Sequence, residues 1–362
     1  MDIFERLGRR GALALVALAL TIAGCASHAT STPARHASAS AETTFFRNYL
    51  EPDGRVVRHD QGSDTVSEGQ AYAMLMAVGT NNRKIFATVW RWTRLHLQRP
   101  DGLLAWRWKG SAVADSTPAA DADLDAAVAL IEAADTFDIP DYRQQGLRLA
   151  AAVLSYESVP AAPGTLVVAG PWAVRNPAVL NPSYLVSGTA QFLAAETGDA
   201  RWTAVAAATS ALDHQLAAST SLAPDWATLP AGAAASSAVA TGAPGTGDQA
   251  QYGLDAVRLI IRLATSCSSE DRALAAGYAD RLGAADAAGA RTLQGTALVS
   301  WTNPAVAMAV YAADRAAGRP DEAAGARATA RAGQTAHPTY YGQAWIALTP
   351  LLFTTHTSET CS

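Results

Sequence analysis

Between about residue 43 and residue 352, apolar residues recur with helical spacing, and stretches that alternate apolar with polar are scarce. The pattern predicts about a dozen helices, near 43–51, 68–80, 83–98, 121–137, 141–155, 182–197, 199–217, 252–265, 269–284, 302–317, 320–334 and 338–352. Pairs such as 68–80 with 83–98, and 182–197 with 199–217, are joined by turns too short for anything except antiparallel helical hairpins. Six hairpins in a row predict an all-α toroid, the (α/α)6 barrel, with inner and outer rings of six helices. A superhelical stack is the alternative, but no fixed-period repeat favours it.

The connections are unequal. Residues 99–120 carry Trp106, Trp108 and Lys109; 156–181 carry Trp172, Arg175 and Asn176; and 223–251 carry Asp225 and Trp226 before an Ala/Gly/Ser-rich run. Long aromatic-bearing loops at one mouth of a barrel would form a cleft. The run from Ala231 to Gly247 has little in its sequence to order it, so that wall of the cleft is expected to be mobile. Exposed indoles stack on the apolar faces of sugar rings, although core packing is the competing role for any single Trp.

The first 24 residues stand apart. Arg6, Arg9 and Arg10 precede an apolar run, Gly11 to Gly24, too short to span a bilayer comfortably, which reads as an export signal. It ends in Ile22-Ala23-Gly24-Cys25, similar to a bacterial lipobox with Cys25 as the lipidated residue; ordinary signal-peptidase cleavage nearby is the alternative. Residues 25–41, rich in Ser, Thr, Ala and Pro, read as a flexible tether, and 42–362 as the folded domain. With Cys25 assigned to lipid, Cys267 and Cys361 can pair in an oxidising periplasm or remain two free thiols.

Charge narrows the partners. Charged residues are only 16% of the chain and the formal net charge is -5, which argues against a nucleic-acid footprint. Losing residues 1–24 removes three Arg against Asp2 and Glu5, so the balance becomes slightly more negative and the exclusion stands. Three scattered Cys without nearby His give no metal site, and no cofactor motif is present in the sequence.

Three acidic sites sit where apolar helices are expected to begin. Glu68 is a lone carboxylate in Ser67-Glu68-Gly69-Gln70-Ala71-Tyr72-Ala73-Met74. A carboxylate entering a core must be paired, hydrogen-bonded or protonated, and a protonated carboxyl near neutral pH is what general-acid catalysis needs. Asp121, Asp123 and Asp125 occupy alternate positions, where N-capping and the helix dipole offer a structural explanation. With Glu132 they mimic calcium-loop spacing, but Ala126 stands where a Gly is needed. In Tyr252-Gly253-Leu254-Asp255-Ala256-Val257-Arg258, an i, i+3 surface ion pair would explain Asp255 and Arg258. The Leu259-Ile260-Ile261 run instead indicates a heavily buried helix with its acid at the barrel end.

These three motifs, with Asn181-Pro182-Ser183-Tyr184-Leu185 and Pro224-Asp225-Trp226, resemble glycoside hydrolase family 8 in order and spacing, from about residue 43 to 350. The likeness is to the periplasmic endoglucanases encoded with bacterial cellulose synthases. It implies an (α/α)6 barrel and an inverting endo-acting hydrolase of β-1,4-glucan such as cellulose. Glu68 falls on the family's general acid, Asp255 on its general base, and Asp121 on the acid that holds the sugar at the cleavage point. Trp106 and Trp108 lie in a segment similar to the aromatic sugar-binding loop. Tyr184 and Arg258 match positions near the reacting ring, and Asp123, Trp226 and Tyr252 are expected to bind substrate with them. Ala120 departs from the family's usual Ser or Thr and removes one hydroxyl from the network.

An inverting pair is expected to stand roughly 6.5–9.5 Å apart, leaving room for water. One tension follows from position: a helix N-terminus lowers a carboxyl pKa, whereas a general acid needs it raised. Burial and the charge of Asp121 are the expected opposing influences on Glu68. The partners expected are a β-1,4-linked polysaccharide and the cellulose export machinery, with membrane contact only through a lipid anchor, no nucleic acid, and a monomeric chain. The alternatives are a non-catalytic polysaccharide-binding lipoprotein, a hydrolase of xylan or chitosan, and a polysaccharide lyase. The lyase is disfavoured because the few His lie mostly in the tether, on outer helices or in tails.

Overall fold

The computed structural model describes residues 33–355. Its twelve helices are α1 (Pro33–Tyr49), α2 (Ser67–Gly79), α3 (Arg83–His96), α4 (Ala120–Phe137), α5 (Pro140–Tyr156), α6 (Ser187–Thr197), α7 (Ala200–Ser219), α8 (Leu254–Thr265), α9 (Ser269–Leu282), α10 (Pro304–Ala316), α11 (Pro320–Ala336) and α12 (Tyr340–Thr355).

Burial sorts them into two rings. In α2 every residue from Gly69 to Val78 is buried, and α4, α8 and α10 are nearly as enclosed. A helix apolar all round must be covered on all sides. By contrast α3 buries one stripe through Phe86, Val89, Trp90 and Trp92, and α11 buries only Ala323, Ala326 and Ala330. Each even-numbered helix packs against an odd-numbered one, α2 with α3 through α10 with α11, and α12 packs against α1 to close the toroid. Around the inside, α2 lies beside α4 and α12, and α10 beside α8 and α12. This is the (α/α)6 barrel that the helical periodicity predicts.

Connections into outer helices are short: residues 80–82, 138–139, 198–199, 266–268 and 317–319. Most of those into inner helices are long, and they carry the strands. β1 (Thr65–Val66), β2 (Arg107–Lys109) and β3 (Ala112–Asp115) form one antiparallel sheet, and β4 (Ser158–Ala161) pairs with β5 (Gly164–Val167). β6 (Ala178–Leu180), β7 (Trp226–Leu229) and β8 (Val239–Thr241) form another, and β9 (Gln251–Tyr252) pairs with β10 (Arg291–Thr292). The mouth of the barrel is built from these small sheets, several of which pair strands from different loops, at the end where the inner helices begin.

Three expectations change. The segment expected as one helix over 182–197 is a 3-10 turn, Pro182–Tyr184, followed by extended Leu185 and Val186 before α6 begins. The run Ala231–Gly247, expected to be mobile, contains a 3-10 turn, Ala235–Ser237, and β8, whose pairing with β7 supplies backbone bonds that a side-chain reading cannot foresee. The compact unit begins at Pro33, inside the expected tether: Pro suits the first helical position and the following Ala-rich stretch propagates α1. The export signal 1–24, Cys25 and Cys361 lie outside the described residues; Cys267 is disulfide-bonded. Among the described residues no helix is long and apolar enough to cross a membrane.

Candidate active site

Glu68, Asp121 and Asp255 each stand in the first turn of an inner helix, α2, α4 and α8 respectively. The barrel therefore brings them to one end, around a cavity of about 160 Å³ lined also by Trp106, Tyr184 and Arg258. A larger hollow of about 320 Å³ between α1, α11 and α12 is lined by Arg331, Gln334, Thr335 and Gln343. It has no carboxylate or aromatic ring on its wall and lies away from this chemistry.

Arg258 joins the three acids. Its Nη1 donates to Glu68 Oε2 at 2.8 Å and to Asp121 Oδ2 at 2.6 Å, while Nη2 donates to Asp255 Oδ1 at 2.6 Å. The i, i+3 pair with Asp255 is real, but it is not the exposed ion pair the spacing alone suggests, because Arg258 is 1% exposed. Its guanidinium also sits 5.0 Å from the centre of the Tyr184 ring. One turn deeper, Arg262 makes a bidentate pair with Asp125 at 2.8 and 2.7 Å, a second bridge from α8 to α4 at the same i+4 step on both helices. This use of Asp125 accounts for the third acid of the Asp-rich stretch. Asp121 is not an N-cap: the cap position is Ala119, and Asp121 Oδ1 accepts from the Ala122 N–H.

Burial pushes the Glu68 carboxyl up to about 7; Arg258 opposes the rise, Asp121 and Asp255 add to it, and Arg58 opposes it. The helix-end tension is thus resolved by desolvation and by two neighbouring acids sharing one guanidinium. Burial likewise raises Asp121, with Arg258 opposing. The side chain of Glu68 is 20% exposed and that of Asp255 33%, so both reach the cavity, whereas Asp121 lies deeper at 6%.

The aromatic positions divide. Val66 pairs with Arg107 across β1 and β2, and the Ser67 N–H donates to the Trp106 carbonyl, which delivers Trp106 beside Glu68. Trp108, two residues on, does not line the cavity. The β2–β3 pairing slips between Arg107 and Trp108, a bulge that adds twist, and Trp108 packs edge-on against Trp92 and His96. Tyr184 is set by the 3-10 turn, whose Asn181 side chain accepts from the Ser183 N–H and Oγ. Trp226 lies 6.3 Å from Tyr184 and 6.4 Å from the exposed Trp172, so the three rings lead outward from Arg258.

Asp123 and Tyr252, expected to bind substrate, do not line the cavity. Both are fully buried. Asp123 Oδ1 accepts from the Leu104 N–H at 2.8 Å and anchors the chain just before Trp106; burial, against that hydrogen bond, pushes its carboxyl well above the usual range. Tyr252 lies beneath the Arg291 guanidinium, which sits 5.0 Å from the tyrosine ring centre where β9 pairs with β10. Alternation along a two-residue strand sent its side chain inward.

Sequence reasoning passed over Arg58 and gave no role to Asp225. Arg58 lines the cavity and is fixed by a bidentate pair with buried Asp64, which also accepts from Arg107. Asp225 accepts hydrogen bonds from the start of α8. The Pro-Asp-Trp motif was the one signal that could have singled out Asp225; nothing local marks Arg58.

A family model described as Glycosyl hydrolases family 8 matches residues 14–294. The chain is 35% identical over 176 residues to a probable endoglucanase of Novacetimonas hansenii, covering 47% of this chain and 52% of that protein. It is 34% identical over 236 residues to an endoglucanase of Xanthomonas axonopodis pv. citri, covering 61% and 59%. The matched part thus spans little more than half the length of these relatives. Among solved structures, the endo-beta-1,4-glucanase CMCax from Acetobacter xylinum superposes with a TM-score of 0.71 at 26% identity, covering 87% of this chain and 97% of that one.

Proposed function

The chain belongs to family 8 of the glycosyl hydrolases, and on that premise we propose that it is an exported endo-1,4-β-glucanase acting with inversion, Glu68 as general acid and Asp255 as general base. The observation that carries this reading is the gathering of Glu68, Asp121 and Asp255 on Arg258 at one cavity. The endoglucanase relatives supply the substrate class.

Cleavage of a glycosidic bond needs a proton on the leaving oxygen and a water activated on the opposite face of the ring. Glu68, pushed up to about 7, holds a proton where the other acids compete for Arg258, and it reaches the cavity. Asp255 accepts a proton from the attacking water through the exposed part of its carboxyl, with Arg258 fixing its other side. Asp121, lower in the cavity, can accept from a sugar hydroxyl through a lone pair that Arg258 leaves free, and its charge keeps Glu68 protonated. Trp106, Tyr184 and Trp226 offer apolar faces to neighbouring pyranose rings. Export to the periplasm, lipidation at Cys25, a Cys267–Cys361 disulfide, a monomeric state and service to a cellulose export machinery belong to the same reading, resting on the sequence motifs.

Two results test it. Reducing ends should be released faster from carboxymethylcellulose than from xylan or chitosan, and proton NMR should show the α anomer first; first-formed β product overturns inversion, and preference for xylan or chitosan reassigns the substrate. Replacing Asp121 with Asn removes a charge that raises Glu68 and frees Arg258 to lower it further, so the alkaline limb of the pH-activity profile should move to lower pH. An active Asp121→Asn enzyme with an unmoved limb would refute the coupling.

A further inference from the structure

Helix α8 starts at Leu254 with Gly253 in the cap position, so it has no side chain of its own to satisfy its first N–H groups. The acceptor comes from elsewhere. Asp225, the residue before β7, takes the Gly253 N–H at 2.9 Å and the Ala256 N–H at 2.8 Å on one oxygen, Oδ1. Its Oδ2 accepts from Gln251 Nε2 at 3.1 Å, and its own N–H donates to the Gln251 carbonyl at 2.8 Å. Asp225 is 5% exposed, so it is fixed from both sides and sealed from water. The two N–H groups it holds flank Leu254 and Asp255 along the chain.

We propose that Asp225 is the positioning residue for the general base: by capping α8 across the barrel mouth it fixes the turn that aims Asp255 at the water site. This rests on the assignment of Asp255 as the base. Burial and then the charge of Asp255 push Asp225 up to about 6, in keeping with the closeness of the two acids. The same contact explains the glycine in Tyr-Gly-Leu-Asp. Gly253 has an extended backbone, φ −136° and ψ −154°, that any residue could adopt, yet a Cβ there would lie 2.3 Å from Asp225 Oδ2. Glycine at 253 makes room for the Asp225 carboxylate.

The test uses the full chain and a soluble β-1,4-glucan. Asp225→Ala and Gly253→Ala, which evict the carboxylate in different ways, should each lower kcat by about a hundredfold with KM changed less than about twofold, because a misplacement of the base near 1 Å is that costly. Asp225→Asn keeps an oxygen for both N–H groups and should stay within about fivefold of the parent. A folded Asp225→Ala or Gly253→Ala enzyme with kcat within about threefold overturns the proposal, and so does an Asn variant as impaired as Ala. Should Asp225→Ala fail to fold, Gly253→Ala and Asp225→Asn decide it. An active Asp255→Asn enzyme removes the base assignment and this proposal with it; an inactive one beside an active Gly253→Ala removes only this proposal.

Discussion

Glu68→Gln should lose about a thousandfold in kcat on unactivated glucan while the protein stays folded. General-acid assistance contributes roughly 10²–10⁴-fold, and an unassisted sugar alkoxide is a poor leaving group, so the upper part of that range applies. The amide is isosteric and its oxygen can still accept from Arg258 Nη1, which keeps the bridge to α8. Removing an ionisable group crowded by Asp121 and Asp255 relieves repulsion, so thermal unfolding should be unchanged or shifted upward. The decisive control is a cello-oligosaccharide carrying a dinitrophenolate leaving group, which departs without a proton. The variant should hydrolyse it at close to the parental rate, with no alkaline limb near pH 7. Equal loss on both substrates would mean that Glu68 does something other than protonate the leaving oxygen.

Arg258→Met should be the most damaging single change to the site. Removing one partner of a buried ionic cluster leaves uncompensated charge and costs about 3–5 kcal/mol, and here one guanidinium serves three carboxyls. The sign of the pH dependence follows. Without Arg258, Glu68 and Asp121 rise further, so the folded state of the variant favours their protonated forms; its stability deficit should be smallest near pH 4 and grow as pH rises towards 8. Activity should fall about a thousandfold, since both the acid and the base lose their anchor, and the residual activity should extend to higher pH because the influence that lowers Glu68 is gone. Arg258→Lys should rescue part of the stability but little of the rate, because an ammonium cannot present the planar fork that reaches Glu68, Asp121 and Asp255 together. Denaturation midpoints across pH, measured beside the pH-rate profile, separate the two effects. A deficit that does not vary with pH would show that packing, not charge, explains the loss.

Much of this was written in local pattern. The close agreement between expected and observed helices comes from periodicity that each segment carries by itself, and the short turns into outer helices made the hairpin pairing nearly unavoidable. Glu68, Asp121 and Asp255 were conspicuous because each interrupts an apolar stretch at a helix start. The sequence missed where local pattern stops. Asp123 looked equivalent to Asp121, yet the two lie two residues apart on a helix and so point in different directions, one to the cavity and one to the Leu104 N–H. Trp106 and Trp108 looked like a pair until a bulge turned them apart. Tyr252 and the order in the Ala/Gly/Ser run depend on which strand pairs with which, a choice made across tens of residues.

What the sequence determined by itself was the helical count, the hairpin pairing and which acids begin an apolar helix, because these follow from the spacing of side chains along single segments and from the short turns between them. Only the tertiary structure decided that Arg258 of α8 would meet Glu68 from 190 residues away and Asp121 from 137, and that Asp225 would cap the helix carrying Asp255. The protonation range of Glu68 follows from that assembly, since desolvation and the field of charges on α4 and α8 exist only once the ring is closed.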